Sequence, residues 1–387
     1  MSLFRSGAAA AAEVMTDEAL LRRLVEVEQA WLTVRGYDAR LGALLRDGDA
    51  ERLGEQSAAG GNPVIPLVRL LRTRLEEAGA ADAAAALHRG LTSQDVMDTA
   101  LVLCARDGAR RVLADLARQA GRCASLAEEH RASVRPGRTL TQHAVPTTFG
   151  LVAASWLTGL LDAADDLRSA VDRLPLQLGG AAGTLAGVST QGDPATLRAR
   201  LARELGLAEA PPWHTTRAPV TRLGDALVGC HDAWGRISND VLLGSRPEVG
   251  ELREGAGGGS STMRHKQNPV LSVLVRSAAI AAPPLGATLH AAAAAQVDQR
   301  ADGGWHAEWP ALQELVRSSV IAGAQTADLL EGLRADRGRM AANADAAAED
   351  LLAEARSLGV ETTDPRAYLG EADAIIDAAL ARAKEDR

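Results

Sequence analysis

Residues 223–241 read LGDALVGCHDAWGRISNDV, and the apolar positions Leu223, Leu227, Cys230, Trp234, Ile237 and Val241 fall alternately four and three residues apart. That spacing puts all of them on one face of an α-helix, with the seam of a helix packed in a bundle. The same rhythm recurs upstream. Leu20, Leu24, Val27, Trp31 and Val34 form one stripe, and Phe149, Val152, Trp156, Leu160, Ala163 and Leu167 form another. Further helical patterns run from about Met97 to His130, from Pro269 to Gln296 with a bend expected at Pro283-Pro284, and from Leu312 to Leu333. No segment shows convincing strand alternation, so the expected fold class is all-α.

Composition points the same way. Apolar residues make up 47% of the chain but aromatic residues only 3%, so the core must be built from Ala, Leu and Val. Alanine has the best helix propensity, and small side chains let helix axes approach closely. At 387 residues the chain is long enough for several structural units around a large core. Breaks fall at Gly60-Gly61-Asn62-Pro63, Arg135-Pro136-Gly137, the glycine-rich stretch 178–187, Pro211-Pro212 and the glycine cluster 255–259. They divide the sequence into an N-terminal helical unit (1–98), a central long-helix bundle (99–332) and a small C-terminal helical unit (333–387). No fixed-period repeat is present, which disfavours a solenoid.

A net charge of −8 with scattered arginines excludes the basic stripe of a nucleic-acid surface. Cys104, Cys123 and Cys230 lie far apart without CxxC spacing, so neither a disulfide framework nor a metal site is expected, and a cytoplasmic location fits. The first residues lack a signal-peptide core, and no uninterrupted apolar stretch long enough to span a bilayer is found, so no membrane partner is expected. Of 42 basic residues only Lys266 and Lys384 are lysine. Lys384 sits in the charged tail. Lys266 falls in a glycine-serine loop, where a compact ammonium with rotating donors is chosen over a planar fork.

Three polar stretches could carry chemistry. The loop from Gly257 to Pro269 (GGGSSTMRHKQNP) can offer backbone N–H groups, hydroxyls and an ammonium to an anion. A polar linker in which Asn268 caps the next helix accounts for the same residues. The stretch from His88 to Asp95 (HRGLTSQD) carries Thr92-x-x-Asp95, a capping box, and a helix N-terminus rimmed with hydroxyls is also a carboxylate site. Gly137 to Gly150 (GRTLTQHAVPTTFG) gathers Thr139, Thr141, Gln142 and His143 just before an apolar helix.

Together these stretches resemble the fumarase/aspartase superfamily, whose members carry three separated regions, the last a loop of the form GSSxMxxKxNP. Here the loop reads GSSTMRHKQNP from Gly259 to Pro269. Finer features are similar to one branch, the bacterial 3-carboxy-cis,cis-muconate cycloisomerases: GNPVIPLV from Gly61 to Val68, PWHTTR from Pro212 to Arg217 and GGWHAEW from Gly303 to Trp309. The resemblance runs from about Leu3 to the mid 340s.

It implies a homotetramer whose central helices form one large bundle, with each active site assembled from three subunits, and a cofactor-free reaction on a small polycarboxylate. It implies that Ser261 exchanges a proton at the carbon beside a carboxylate, and that Lys266 and Asn268 hold carboxylate. Thr92, Ser93, Thr141 and Gln142 would be further substrate contacts. His88 and His143 sit in matching polar regions, His143 as a catalytic candidate, while Arg217 and Arg300 are expected to clamp carboxylates bidentately. The implied reaction is closure of a muconate to a lactone. Relatives of the adenylosuccinate lyase type carry GRTH in the second region, where this chain has Leu140. An amine leaving group needs that acid, but a carboxylate with a reference pKa near ~4 leaves without one. Arg264 and Gln267 also depart from the usual loop. The alternatives are a fumarate-releasing lyase of adenylosuccinate or argininosuccinate type, and a non-catalytic helical assembly protein.

Overall fold

The computed structural model describes residues 4–255, 258–259, 262–263, 266–300 and 302–385. From the N-terminus come α1 (Asp17–Val34), α2 (Asp49–Ser57), α3 (Val64–Glu77) and α4 (Ala81–Ala86), then the 37-residue α5 (Ser93–Glu129). A hairpin of β1 (Val134–Thr139) and β2 (Gln142–Thr148) turns the chain into α6 (Phe149–Asp172). After α7 (Ala186–Ser189) and α8 (Pro194–Leu205), α9 (Ala218–Gly244) is followed by the two-residue β3 (Leu252–Arg253) at the start of the glycine-serine loop. Then come α10 (Val270–Ala294), α11 (Gly303–Gly332) and β4 (Arg334–Ala335), which pairs with β3. Helices α12 (Arg337–Ala346), α13 (Ala348–Leu351), α14 (Ala353–Ser357) and α15 (Ala372–Glu385) complete the chain.

The bundle is built by α5, α6, α9, α10 and α11, with α9 packed against α6, α10 and α11, and α5 against α6 and α11. Leu223, Leu227, Cys230, Trp234, Ile237 and Val241 are all fully buried, as their spacing requires. One apolar cluster runs from Ala11 to Ala383, and a satellite of Val134, Ala344, Ala347 and Leu351 lies under the hairpin. Small residues set the helix spacing. A β-carbon on Gly224 would meet Leu289 Cδ1 at 2.5 Å, and one on Gly108 would meet Val316 Cγ1 at 2.3 Å, so α9–α10 and α5–α11 approach as closely as they do only because glycine is there. Two of the largest buried side chains keep their polar handles satisfied: Trp234 Nε1 donates to Gln119 Oε1 at 2.8 Å and Trp156 Nε1 to Asp240 Oδ2 at 2.8 Å.

Two expectations are corrected. The stretch around Pro136 is a hairpin rather than a loop, and β3–β4 adds a second small ladder. Proline and glycine hid the strand pattern: Pro136 faces Pro146 in a two-stranded ribbon, where a missing N–H is tolerated, and a bulge falls between Pro136 and Arg138. Helix α10, through Pro283 and Pro284, is long and apolar enough by composition to cross a membrane, with a mean hydropathy of 1.5. It packs in the bundle against α9 and α11, yet only 22% of its most apolar window is buried, leaving Val273 and Ile280 exposed. The boundary drawn at 98 falls within the first turns of α5, and that at 332 at the end of α11.

Candidate active site

The polar regions occupy opposite ends of α5. At its start, Asp95 is a hub. Its carboxylate accepts the backbone N–H of Thr92 at 3.0 Å, the half of the capping box that reaches back, and the N–H groups of Gly179 and Gly180 at 2.8 and 3.0 Å. His214 Nε2 lies 2.8 Å from Asp95 Oδ1, which fills the last of the four acceptor positions. Thr92 is buried, while Ser93 opens the helix half-buried. His88 adopts a positive φ of 62° and places Nδ1 2.5 Å from the buried Glu28 carboxylate. Burial works against its imidazolium, but the Glu28 charge outweighs it and holds the His88 pKa above the ordinary histidine value.

One turn further on, Arg217 corrects a further expectation. Its guanidinium is fully buried between Asp98 and Glu308, with Nη1 2.8 Å from Asp98 Oδ2 and Nη2 2.7 Å from Glu308 Oε2. Nε donates to Glu308, and Nη1 also points at the Trp213 and His214 carbonyls, so no donor is left for a substrate. Arg217 therefore clamps two carboxylates of its own chain. Trp305 Nε1 donates to Asp98 at 2.7 Å and the Trp213 ring lies 4.7 Å under the guanidinium. Burial pushes the Glu308 carboxyl upward against the pull of Arg217. Arg300 lies exposed on the turn before α11, at this same end.

The far end of α5 carries the other two regions. Leu140 and Thr141 form a two-residue turn between β1 and β2 with φ of 49° and 72°. That geometry is the hairpin turn normally made by Asn-Gly, so Leu140 is held in a conformation disfavoured for its side chain. Leu140 is 96% exposed. Thr141, Gln142 and His143 follow it on the exposed tip, and His143 Nδ1 comes no nearer than 3.6 Å to Asp350. The hairpin is tied to the loop stem by Glu251, fully buried, which takes Arg135 Nε at 2.8 Å and Arg138 Nη2 at 2.8 Å.

Asn268 and Gly258 exchange two backbone hydrogen bonds, 2.8 and 2.9 Å, that close the mouth of the loop. The side chain of Asn268 does not cap α10. That task falls to Glu254, whose carboxylate accepts the N–H groups of Leu271 and Ser272 and the Ser272 hydroxyl. Lys266 is exposed and, among the described residues, has no ion-pair partner. Ser261 and Arg264 lie outside the described residues. The same end thus offers an ammonium, an amide, hydroxyls and an imidazole to a ligand, while the other end offers a hydroxyl-lined helix start. Among the described residues no His, Cys, Asp or Glu group is arranged to hold a metal ion.

Sequence reasoning missed Glu251, Glu254, Asp98, Glu308 and the Asp95–His214 pair. Glu308 and His214 stood in the GGWHAEW and PWHTTR stretches, but nothing local assigned them a role.

A family model described as Lyase matches residues 62–283, more than half of the chain. The chain belongs to this lyase family. Among its relatives, a nitrosuccinate lyase of Streptomyces davaonensis is 41% identical over 377 residues, covering 92% of this chain and 78% of that one. A 3-carboxy-cis,cis-muconate cycloisomerase of Pseudomonas aeruginosa is 43% identical over 319 residues, covering 81% and 68%. The crystal structure of the 3-carboxy-cis,cis-muconate lactonizing enzyme from Pseudomonas putida superposes with a TM-score of 0.87 at 29% identity, over 97% of each chain. The lyase fold seen here is therefore the all-helical one of the fumarase/aspartase superfamily, with the hairpin and short ladder as its strands.

Proposed function

We propose that this chain is a cytoplasmic 3-carboxy-cis,cis-muconate cycloisomerase, working without a cofactor as a homotetramer. One carboxylate of the muconate attacks the activated double bond, a C–O bond forms, and the neighbouring carbon takes a proton. In reverse, a base removes that proton and a carboxylate leaves. The intermediate is an enediolate-like anion, so the main task is to stabilise charge with preplaced cations and donors. Lys266 and Asn268 hold the carboxylate on which charge develops, Ser261 delivers the proton, and Thr92, Ser93, Thr141, Gln142 and Arg300 contact the rest of the substrate. His143, exposed beside the hairpin tip, and His88 complete the polar wall.

The observation that carries the reading is Leu140. An apolar side chain at the hairpin tip supplies no acid to a leaving group, which suits a carboxylate that departs already ionised. The shared site is supported by length: α5 has 37 residues, roughly 55 Å at ~1.5 Å per residue, so the Thr92 end and the hairpin end of one chain do not meet on one small substrate. The exposed apolar face of α10 supports burial against other copies, and three free, buried cysteines fit a reducing compartment.

A second reading has its own support in the nitrosuccinate lyase that matches over most of this chain. Nitrite, like a carboxylate, leaves without protonation, so Leu140 fits an elimination that yields fumarate and nitrite. The two are separated by incubating the pure protein with 3-carboxy-cis,cis-muconate and following the conjugated diene absorbance, alongside nitrite release from nitrosuccinate. Diene loss with one proton taken up per lactone formed is the expected result. Nitrite and a released proton, with the diene untouched, would move the assignment to elimination.

A further inference from the structure

Behind the loop stem lies a cavity of about 660 Å³, lined by Arg253, Arg334, Gln267, the proposed carboxylate holder Asn268 and the start of α12. Its floor is the β3–β4 ladder, which has only two residue pairs, Leu252 with Ala335 and Arg253 with Arg334. Residues directly opposite in an antiparallel pair project to the same face, close together. Leu252 is buried while Arg253 and Arg334 are exposed, so the two arginines turn the other way, and both line the cavity. Like charges directly opposite weaken a pairing. Here that repulsion acts on a ladder with just one other pair to hold it.

The chain does not neutralise the two arginines. Among the described residues neither has a carboxylate within ion-pair distance. Both acidic residues of the cavity wall are committed to helix starts: Glu254 to the N–H groups of Leu271 and Ser272 on α10, and Asp336 to the N–H of Arg339 on α12, at 2.9 Å. Arg337, at the rim, is held by Glu129.

We propose that this cavity is an anion-binding site, centred on the ladder rather than on the Lys266 ammonium, that takes a doubly charged oxyanion between Arg253 and Arg334. Each guanidinium presents a planar fork of donors, and the Gln267 amide adds another. Two forks side by side on one face match a small dicarboxylate or inorganic phosphate better than a monovalent ion. Bound there, the anion bridges β3 and β4 and removes the repulsion between them.

The test is calorimetric titration and thermal unfolding of the full chain with inorganic phosphate and with succinate, at constant ionic strength in chloride. The parent should bind one of them saturably and unfold at a higher temperature when it is bound. Tighter phosphate binding names a phosphate ligand, and tighter succinate binding names a dicarboxylate. Arg253→Gln and Arg334→Gln should each weaken that binding at least tenfold and, in chloride alone, unfold no lower than the parent because the repulsion is gone. Lys266→Ala should keep it. Binding lost in Lys266→Ala but kept in both glutamine variants would mean that the anion occupies the substrate site, and the absence of saturable binding of either anion to the parent would equally overturn the proposal.

Discussion

The two ends of α5 handle polar residues in opposite ways. At the Ser93 end, Asp95, Asp98, Arg217, Glu308 and His214 are buried and answer one another, down to the four acceptor positions of Asp95 and every donor of Arg217. At the Glu129 end, Lys266 is exposed on the glycine-serine loop and Thr141, Gln142 and His143 on the hairpin tip, whose turn is left-handed at two non-glycine residues. A buried charge must be matched from within, because water cannot reach it. An exposed, strained and unmatched group is kept for something else. The contrast sorts residues matched within the bundle from residues left exposed, which are the ones proposed to meet the substrate, and it reverses the first assignment of Arg217.

The sharpest way to break this contrast is to remove one member of the buried set. Arg217→Ala leaves Asp98 and Glu308 facing each other without a cation, and should cost about 3–5 kcal/mol of stability, read from urea unfolding. A variant that unfolds like the parent would mean that the triad is not the buttress described. At the exposed end the effect should fall on rate instead. Lys266→Ala should lower kcat/KM by roughly 10²–10³-fold, the scale of one lost charge-stabilising donor, while the unfolding midpoint stays within error.

A smaller change sharpens the comparison at the hairpin tip. Leu140→Gly places a residue free of the left-handed penalty where φ is 49°, and should stabilise the chain by up to about 1 kcal/mol. If stability falls instead, the turn is relaxed and its strain is no part of the design. The smallest expected effect is a pH slope. The His88 pKa is raised in the folded chain by Glu28, so their attraction contributes fully below the unfolded histidine value of about 6.5 and fades as pH rises through the folded value. The urea midpoint should therefore decline as pH rises above about 6.5, and His88→Asn, which tolerates the positive φ, should flatten that part of the profile.

Much of this architecture is legible in the linear chain because its causes are local. The four-and-three spacing of Leu223 to Val241 marks a helix in a bundle, and Thr92-x-x-Asp95 marks where α5 begins, four residues before the apolar pattern does. The loop motif from Gly259 to Pro269 likewise sits in consecutive residues. What was not legible depends on distance. Asp98 and Glu308 stand 119 and 91 residues from Arg217, so nothing near Arg217 announces that its donors are taken. Glu254 caps α10 from 17 and 18 residues away, which left Asn268 as the only visible cap. The hairpin was obscured by Pro136, Gly137 and Pro146, residues that break a strand pattern even where a two-stranded ribbon accepts them.

In the proposed tetramer the exposed end of one chain and the helix start of another complete a single site. That sharing is tested most directly by complementation. Lys266→Ala and a Thr92→Ala/Ser93→Ala double variant are each assayed alone for loss of the muconate diene, then mixed, unfolded, refolded together and assayed again. The account predicts little activity in either alone and clear recovery in the mixture, because some sites then draw an intact loop from one chain and an intact helix start from the other. Mixed assemblies that form and stay as inactive as their parents would contradict it.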